Sequence, residues 1–424
     1  MNLIIRPSTG KGTVIAPPSK SAAHRALILA GLCRAVCEVQ NVAASEDILA
    51  TLHCLEALGA SVRKTQTGYE VGGADLSPSE APLLLNCDSS GSTLRFFLPL
   101  ALVTGRPTLL TGSEGLLSRP LGVYEDLCRE QEIIFERRKG GVFVHGRLTP
   151  GEFEIPGDIS SQFATGLLLA LPFLEKGSDL TVLPPVESRS YIDLTLAALR
   201  DFSVRAISTG ADRWHVPGKQ RTRPHKSTVE GDWSNAAYLD ALSLFGGNIR
   251  IKGLNDLSPQ GDRIYKQHFL SILNGKPTVD LSDCPDLAPI LLALAAAGNG
   301  AVFTGTARLR YKECDRGQAM AAELSKLGAR VTVEPERIWV GESKLHAPAE
   351  PLDSHDDHRV AMALAVLLTK FGGTLRGAEA VDKSWPEFFR VLRKLGIDWS
   401  EEPEPETTAL PEGQTEEKNN GSGI

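Results

Sequence analysis

Two patterns of apolar and polar positions alternate along the chain. Six segments are apolar nearly all round: AAHRALILAGL, STLRFFLPLALV, SQFATGLLLALP, NAAYLDALSLF, APILLALAAA and HRVAMALAVLL. Helices of that kind are expected where every face is buried. Between them a second pattern recurs, with leucines three apart on one helix face, a Gly or polar break, then one or two β-branched strands. It runs over Leu55–Gly73, Leu127–Gly146, Leu196–Gly218, Leu270–Leu281, Leu324–Glu342 and Leu392–Ser400. The copies lie roughly 70 residues apart, the fourth degraded and the last truncated. This predicts an α/β protein of six units, each with two helices and about four strands, grouped three to a domain. The polar stretch PGKQRTRPHKSTVEGD between the third and fourth units is the expected hinge. Ligands then belong in the cleft between the domains.

A chain of 424 residues suits two domains of about 200. Its net charge of −7 must be divided before it is read. Residues 401–424 hold seven Glu and one Lys, which leaves residues 1–400 at −1. A nearly neutral body gives no support to nucleic-acid binding through a basic face. The tail, rich in Glu, Pro and Gly and without periodicity, is expected to be a disordered solvating extension. No apolar run reaches the ~18 residues of a membrane span, and MNLIIRPSTG lacks the marks of a signal or transit peptide. Seven Cys without a CxxC pair fit reduced thiols in the cytoplasm. The scattered His give no zinc-ligand spacing.

The candidate chemistry gathers at the starts of the buried helices. In PPSKSAAHRALILA, Ser19 or Ser21 can cap a helix flanked by Lys20 and Arg25, a place for a phosphate or carboxylate. In NCDSSGSTLRFFLPLAL, Gly91 allows close backbone approach, and Arg95 at the positive end of an apolar helix calls for an anionic partner. GDISSQFATGLLLALP offers Ser160, Ser161 and Gln162. The second half adds Asp286 in DCPDLAPILLALAA, and Arg308, Arg310, Lys312, Glu313, Asp315 and Arg316 in ARLRYKECDRGQAM. It also adds Asp356, Asp357, His358 and Arg359 in DSHDDHRVAMALA, and Lys383 in DKSWPEFF. Each segment alone reads equally as a cap or a solvated charge run. Their repeated placement before buried helices instead converges them on one cleft. With no Ser–His–Asp set and no GxxxxGK[ST] loop, the inventory suits polyanionic substrates held by cations, with carboxylates moving protons.

The motifs SKSAAHRAL, SGSTLR, SRPLG, GDISSQF, YIDLTL, EGDWSNAAY, CPDLAP, RYKECDR, DDHRVAMA and DKSWPEFF occur in that order over about residues 3–396. In content and order the chain resembles the 5-enolpyruvylshikimate-3-phosphate synthase family of enolpyruvyl transferases. The resemblance implies a two-domain inside-out α/β barrel of six βαβαββ units with buried helices. Residues 1–18 and 228–400 would form one domain, 19–227 the other, and 401–424 the tail. It implies transfer of the enolpyruvyl group from phosphoenolpyruvate to the 5-hydroxyl of shikimate 3-phosphate, releasing phosphate, with no metal or cofactor. A cytoplasmic monomer handling small anionic substrates, with neither nucleic acid nor membrane as partner, is the corresponding expectation.

By motif, Lys20, Ser21 and Arg25 would meet shikimate 3-phosphate, with Lys20 also near phosphoenolpyruvate. Ser160, Ser161, Gln162, Ser188 and Lys312 would complete that site, with Tyr191 at its edge. Gly91, Arg119, Arg316, Arg359 and Lys383 would hold phosphoenolpyruvate. Asp286 would take the hydroxyl proton and Glu313 would protonate the methylene carbon, with Lys20 and Lys383 also counted in the catalytic set. The last role requires Glu313 to be protonated near neutral pH, hence a raised pKa. The chain departs from the family pattern at Ser89 and Arg308, where Asn is usual, at Ser92, often Thr, and at Ser190, often Pro. A sister enzyme acting on UDP-N-acetylglucosamine shares the fold and donor. It carries Lys-Asn in the first motif and a reactive Cys in the loop before Arg-Pro, where this chain has Lys20–Ser21 and Glu114. A catalytically silent anion-binding relative is the remaining alternative. The intact set of Lys20, Asp286, Glu313 and Lys383 argues against it.

Overall fold

The computed structural model describes residues 1–402. The acidic stretch read as a tail therefore lies, except for its first two residues, outside the described residues. Glu401 ends the Trp399–Glu401 strand, and the Glu402 amide donates to the Asn2 carbonyl at 2.9 Å, so the folded chain runs slightly past Ser400.

The six all-apolar segments form the helices Lys20–Gly31, Gly91–Thr104, Ser161–Ala170, Trp233–Leu244, Ala288–Ala297 and His358–Phe371. Every residue of Gly91–Thr104 except Ser92 is buried, as is every residue of Ala288–Ala297 except the last. Among the described residues, six small sheets lie around these helices. In one, Leu83–Asn86 pairs parallel with Thr108–Thr111, which continues antiparallel into Gly141–His145 and then Ile134–Arg138. The Glu152–Pro156 and Thr278–Asp280 strands open sheets of the same order. Each such unit runs strand–helix–strand–helix–strand–strand. Strands such as Leu83–Asn86 alternate buried and exposed positions, one face on the helices and one on solvent.

The degraded fourth unit has only a two-stranded parallel sheet, Lys11–Ile15 with Asn248–Lys252. The truncated sixth is completed from the far end of the chain. Leu3–Ile5 pairs antiparallel with both Gly373–Arg376 and Trp399–Glu401.

Two hydrophobic cores result. One extends from Ala23 to Val229, and the other holds Leu3, Ile5 and the residues from Trp233 to Ile397. Two segments cross between these bodies and lie antiparallel. The Ser19 amide donates to the Glu230 carbonyl and the Asp232 amide to the Pro17 carbonyl, both at 2.8 Å. Ser227–Thr228 pairs with Val39–Gln40, so the return crossing falls at 230–232, a little after position 228.

The Gly91–Thr104 and Ser161–Ala170 helices bring their first turns to the cleft because Gly166 lets them meet. A Cβ there would stand 2.3 Å from both the Arg95 carbonyl oxygen and the Tyr124 hydroxyl. That hydroxyl lies 2.8 Å from the Arg95 carbonyl and 3.1 Å from that of Phe163, tying the helices together. Gly166→Ala should therefore overpack the contact and cost about 1–3 kcal/mol. In urea unfolding the midpoint should fall with little change in slope; an unmoved midpoint would contradict so close a contact.

Candidate active site

One polar cleft lies between the two bodies, lined from the first by Lys20, Ser21, Arg25, Gly91, Arg119 and Gln162 among others. Ser19 accepts from the Ala22 amide and is the cap, which leaves Ser21 to line the cleft. Ser160 caps the third buried helix through the Gln162 amide, so only Ser161 and the Gln162 side chain are free of capping duty. Lys20 Nζ lies 2.5 Å from Asp47 Oδ2. Arg25 spends its donors on the Thr195 and Thr165 hydroxyls and on the carbonyls of Ser21 and Tyr191. Burial brings its pKa down to about 10.

Arg95 does not meet the anion expected of it. Its guanidinium donates to Gln162 Oε1 at 2.6 Å and to the Pro120 carbonyl at 3.0 Å, and lies over the Phe163 ring. Two neutral oxygens and a π-face offset the helix dipole instead. Gln162 Nε2 in turn donates to Ser92 at 3.0 Å. A Cβ on Gly91 would stand 2.8 Å from Arg119 Nη1, so a side chain there would push that guanidinium aside.

The second body supplies the carboxylates. Arg316, at the start of its helix and 1% exposed, donates to Asp286 at 2.7 Å, to Glu313 at 2.9 Å and to Asp357 at 2.8 Å. Asp286 also faces Lys312 Nζ at 3.5 Å and Arg359 Nη2 at 3.5 Å. Burial alone would raise the Asp286 pKa. Lys312, Arg359 and Arg316 outweigh it and hold that carboxyl well below the usual range. Glu313 behaves alike: burial pushes it up, but Arg119, Arg316, His358 and Lys20 press it well below. The expectation of a raised Glu313 pKa therefore fails in this arrangement, because the cations Arg119, Arg316 and Lys20 converge on it. His358 itself is buried and, through desolvation and then Lys20, neutral.

Seven cationic side chains line the cleft against three carboxylates, Asp47, Asp286 and Glu313. Of the residues expected from sequence, Lys20, Ser21, Arg25, Gly91, Arg119, Ser160, Ser161, Gln162, Ser188, Tyr191, Asp286, Lys312, Glu313 and Arg316 line it together. Arg359 and Lys383 do not. Arg359 stands behind Asp286 with Nη1 2.9 Å from Asn235 Oδ1. Lys383 is 2.7 Å from the Asp356 carbonyl and 2.6 Å from its carboxylate, on a turn where His355 and Asp356 both have positive φ. Sequence reasoning passed over Asp47, Phe96 and Tyr311, which also line the cleft. Asp47 sits in the first turn of the Glu46–Ala57 helix and carried no motif signal.

The departures have distinct uses. Ser190 donates its amide to Asp283 Oδ1 at 3.1 Å, a bond that Pro could not make, and its hydroxyl lies 3.2 Å away. Arg308 pairs with Glu187 and donates to the Ser188 hydroxyl at 2.9 Å and the Ser282 carbonyl at 2.6 Å. Ser188, in the left-handed region at φ 54°, also donates its amide to the Ser282 carbonyl at 2.9 Å. These contacts pin the two bodies together beside the cleft. Ser92 meets Gln162, while Ser89 lies outside the cleft lining.

The family model for EPSP synthase (3-phosphoshikimate 1-carboxyvinyltransferase) matches residues 5–392. The 3-phosphoshikimate 1-carboxyvinyltransferase of Clostridium kluyveri is 38% identical, covering 93% of this chain and 98% of its own length. That of Clostridium acetobutylicum is 37% identical, covering 94% and 99%. Among solved structures, EPSP synthase from Acinetobacter baumannii superposes with a TM-score of 0.74 at 22% identity, covering 94% of this chain and 100% of that one. The enolpyruvyl transferase NikO from Streptomyces tendae does so with a TM-score of 0.74 at 17% identity, covering 95% and 99%. These two likenesses bear on the fold.

The depressed carboxyls make acid stability a test of the site's electrostatics. The folded-state pKa values of Asp286 and Glu313 lie below unfolded values of about 3.9 and 4.3. Their contribution is thus complete above those values and is lost as pH falls through the lower, folded-state pKa values. Urea midpoints measured from about pH 5 to about pH 2 should fall, and Asp286→Asn should flatten that fall. A slope identical in the two proteins would mean that the cations do not hold Asp286 ionised.

Proposed function

The chain belongs to the EPSP synthase family, and from that premise we propose that its cleft transfers the enolpyruvyl group of phosphoenolpyruvate to the 5-hydroxyl of shikimate 3-phosphate, releasing phosphate. The observation that carries the reading is the excess of buried cations in one cleft, with two carboxylates held on Arg316. Both substrates are polyanions whose mutual repulsion such walls offset. Lys20, Ser21, Arg25, Ser160, Ser161, Gln162, Ser188, Tyr191 and Lys312 form the shikimate 3-phosphate side. Gly91, Arg119 and Arg316 form the phosphoenolpyruvate side. Arg359 and Lys383 join it once the side chains around Asp286 and Asp356 rearrange. The cleft is small, with a cavity volume of ≈ 90 Å³, and we propose that the two bodies part about their paired crossing segments to admit substrate.

In the reaction the acceptor oxygen adds to C2 of phosphoenolpyruvate while its proton passes to Asp286, and C3 takes a proton from Glu313. The resulting ketal phosphate then loses phosphate, which leaves with the proton held by Asp286. The C3 methyl returns a proton to Glu313, which restores the C2=C3 double bond, now as a vinyl ether of the acceptor oxygen. The low pKa of Glu313 fits this sequence once substrates are counted. Phosphate and carboxylate groups facing Arg119, Arg316 and Lys20 weaken the field those cations exert on Glu313, which can then hold a proton. The same change strengthens Asp286 as a base.

One chain supplies both walls of the cleft, which supports action as a monomer. Seven free cysteines support a cytoplasmic setting, and no helix among the described residues is long and apolar enough to cross a membrane.

Phosphate release from phosphoenolpyruvate should occur with shikimate 3-phosphate and not with UDP-N-acetylglucosamine. Asp286→Asn and Glu313→Gln should each lower it by roughly 10²–10⁴-fold. Release with the sugar nucleotide would identify the sister activity. Silence with both acceptors, in folded protein that binds the anions, would identify a silent relative.

A further inference from the structure

Behind the cleft a second carboxyl approaches the same phenol as Asp286. Tyr191 Oη lies 3.3 Å from Asp286 Oδ2 and 3.1 Å from Asp262 Oδ2. A phenol has one hydrogen, so it can donate to only one of these carboxylates. Asp286 has its cations: Arg316, Lys312 and Arg359. Asp262 has none within ion-pair distance among the described residues, is 3% exposed, and leaves Oδ1 without a partner. A buried carboxylate in that position is costly unless it carries a proton.

The groups facing Asp262 come from several elements. Tyr191 belongs to the Arg189–Asp201 helix, Asp286 to the turn at Pro285–Leu287, and Arg359 to the His358–Phe371 helix. Asp232 caps the Trp233–Leu244 helix, and Cys284 lies close by in the loop before Asp286. On its own short helix, Arg263 turns away to the Asp256 carbonyl. Two of these neighbours are like-charged, and the one cation, Arg359, is shared with Asp286. Burial first, and then Asp286, push the Asp262 pKa up to about 7. The approach is built into the backbone, since a Cβ on Gly261 would stand 2.5 Å from the Ser190 hydroxyl.

We infer that Asp262 carries a proton and donates it to Tyr191 Oη, which fixes the phenol hydrogen on Asp286 Oδ2. Asp262 is thus a positioning residue for the proposed base, acting across the cleft through a side chain of the other body. Loss of its proton leaves two carboxylates competing for one phenol hydrogen and repelling each other, which turns Tyr191 away from Asp286. The inference rests on the reading of Asp286 as the base.

Asp262→Asn keeps the shape and a permanent N–H donor to Tyr191. Its kcat, measured against the parent chain from about pH 6 to about pH 9, should lose the alkaline fall that the parent shows. The ratio of variant to parent should rise severalfold over that range. Asp262→Ala, which cannot donate, should lower kcat at the acid end of that range, where the parent carries the proton. Parallel profiles for Asp262→Asn and the parent would overturn the inference.

Infrared difference spectra give a readout independent of activity. The full-length parent should show a protonated carboxyl band at the acid end that disappears at the alkaline end and shifts in Tyr191→Phe. A missing band, or one that Tyr191→Phe leaves in place, would overturn the proposal. Retention of phosphate release by Asp286→Asn would instead remove the base reading, while the infrared result on Asp262 would stand by itself.

Discussion

A guanidinium almost wholly removed from water must be met by carboxylates, and Arg316 is met by three. This requirement arranges the second body's half of the cleft. Asp357 is fixed from the other side, because its carboxylate also accepts from the Arg359 and Val360 amides as the cap of the last buried helix. Arg316 is thereby anchored to a helix start, and its remaining N–H groups hold Asp286 and Glu313 at set directions. The planar fork makes the separation of proposed base and proposed acid a property of one side chain. A lysine at that position would neutralise charge without imposing the spacing.

The same local balance explains why net charge was a poor guide to partners. Residues 1–400 sum to −1, yet seven cations crowd one cleft against three carboxylates. Opposite charges are spread over the outer surface, as with Arg63 and Glu70 or Lys276 and Glu342. The interior concentration produces a focused field that a whole-chain sum cancels. Placement at helix starts, which the sequence does show, was the better signal.

Much of the fold was legible for a related reason. A helix apolar on all faces has few places to go, so the six buried helices and their recurring strand pairs followed from local pattern. What was not legible came from distant segments. Leu3–Ile5 completes a sheet with strands near residues 375 and 400, and Ser227–Thr228 completes one begun at Cys37. Arg95 was expected to need an anion, but Gln162 and Pro120, far off in sequence, supply the oxygens. The Glu313 proton was inferred from what the reaction demands. Its actual surroundings depend on Arg119 and Lys20 arriving from the other body. Arg359 shares a motif with the cleft residue His358, yet its side chain turns to Asn235, and Lys383 turns to Asp356.

That mismatch over Glu313 has a chemical use under the proposed assignment. An ionised Glu313 cannot protonate phosphoenolpyruvate, so the donor bound alone is not activated toward attack by water. The acid appears only when enough negative charge has entered to occupy Arg119, Arg316 and Lys20, and shikimate 3-phosphate brings the remainder of that charge. Tyr191 and Arg308 each reach a partner on the other body beside the same charges. Proton transfer is then coupled to the presence of both substrates by electrostatics alone. The separation of cations and carboxylates between two bodies joined by two crossing segments is what makes that coupling possible.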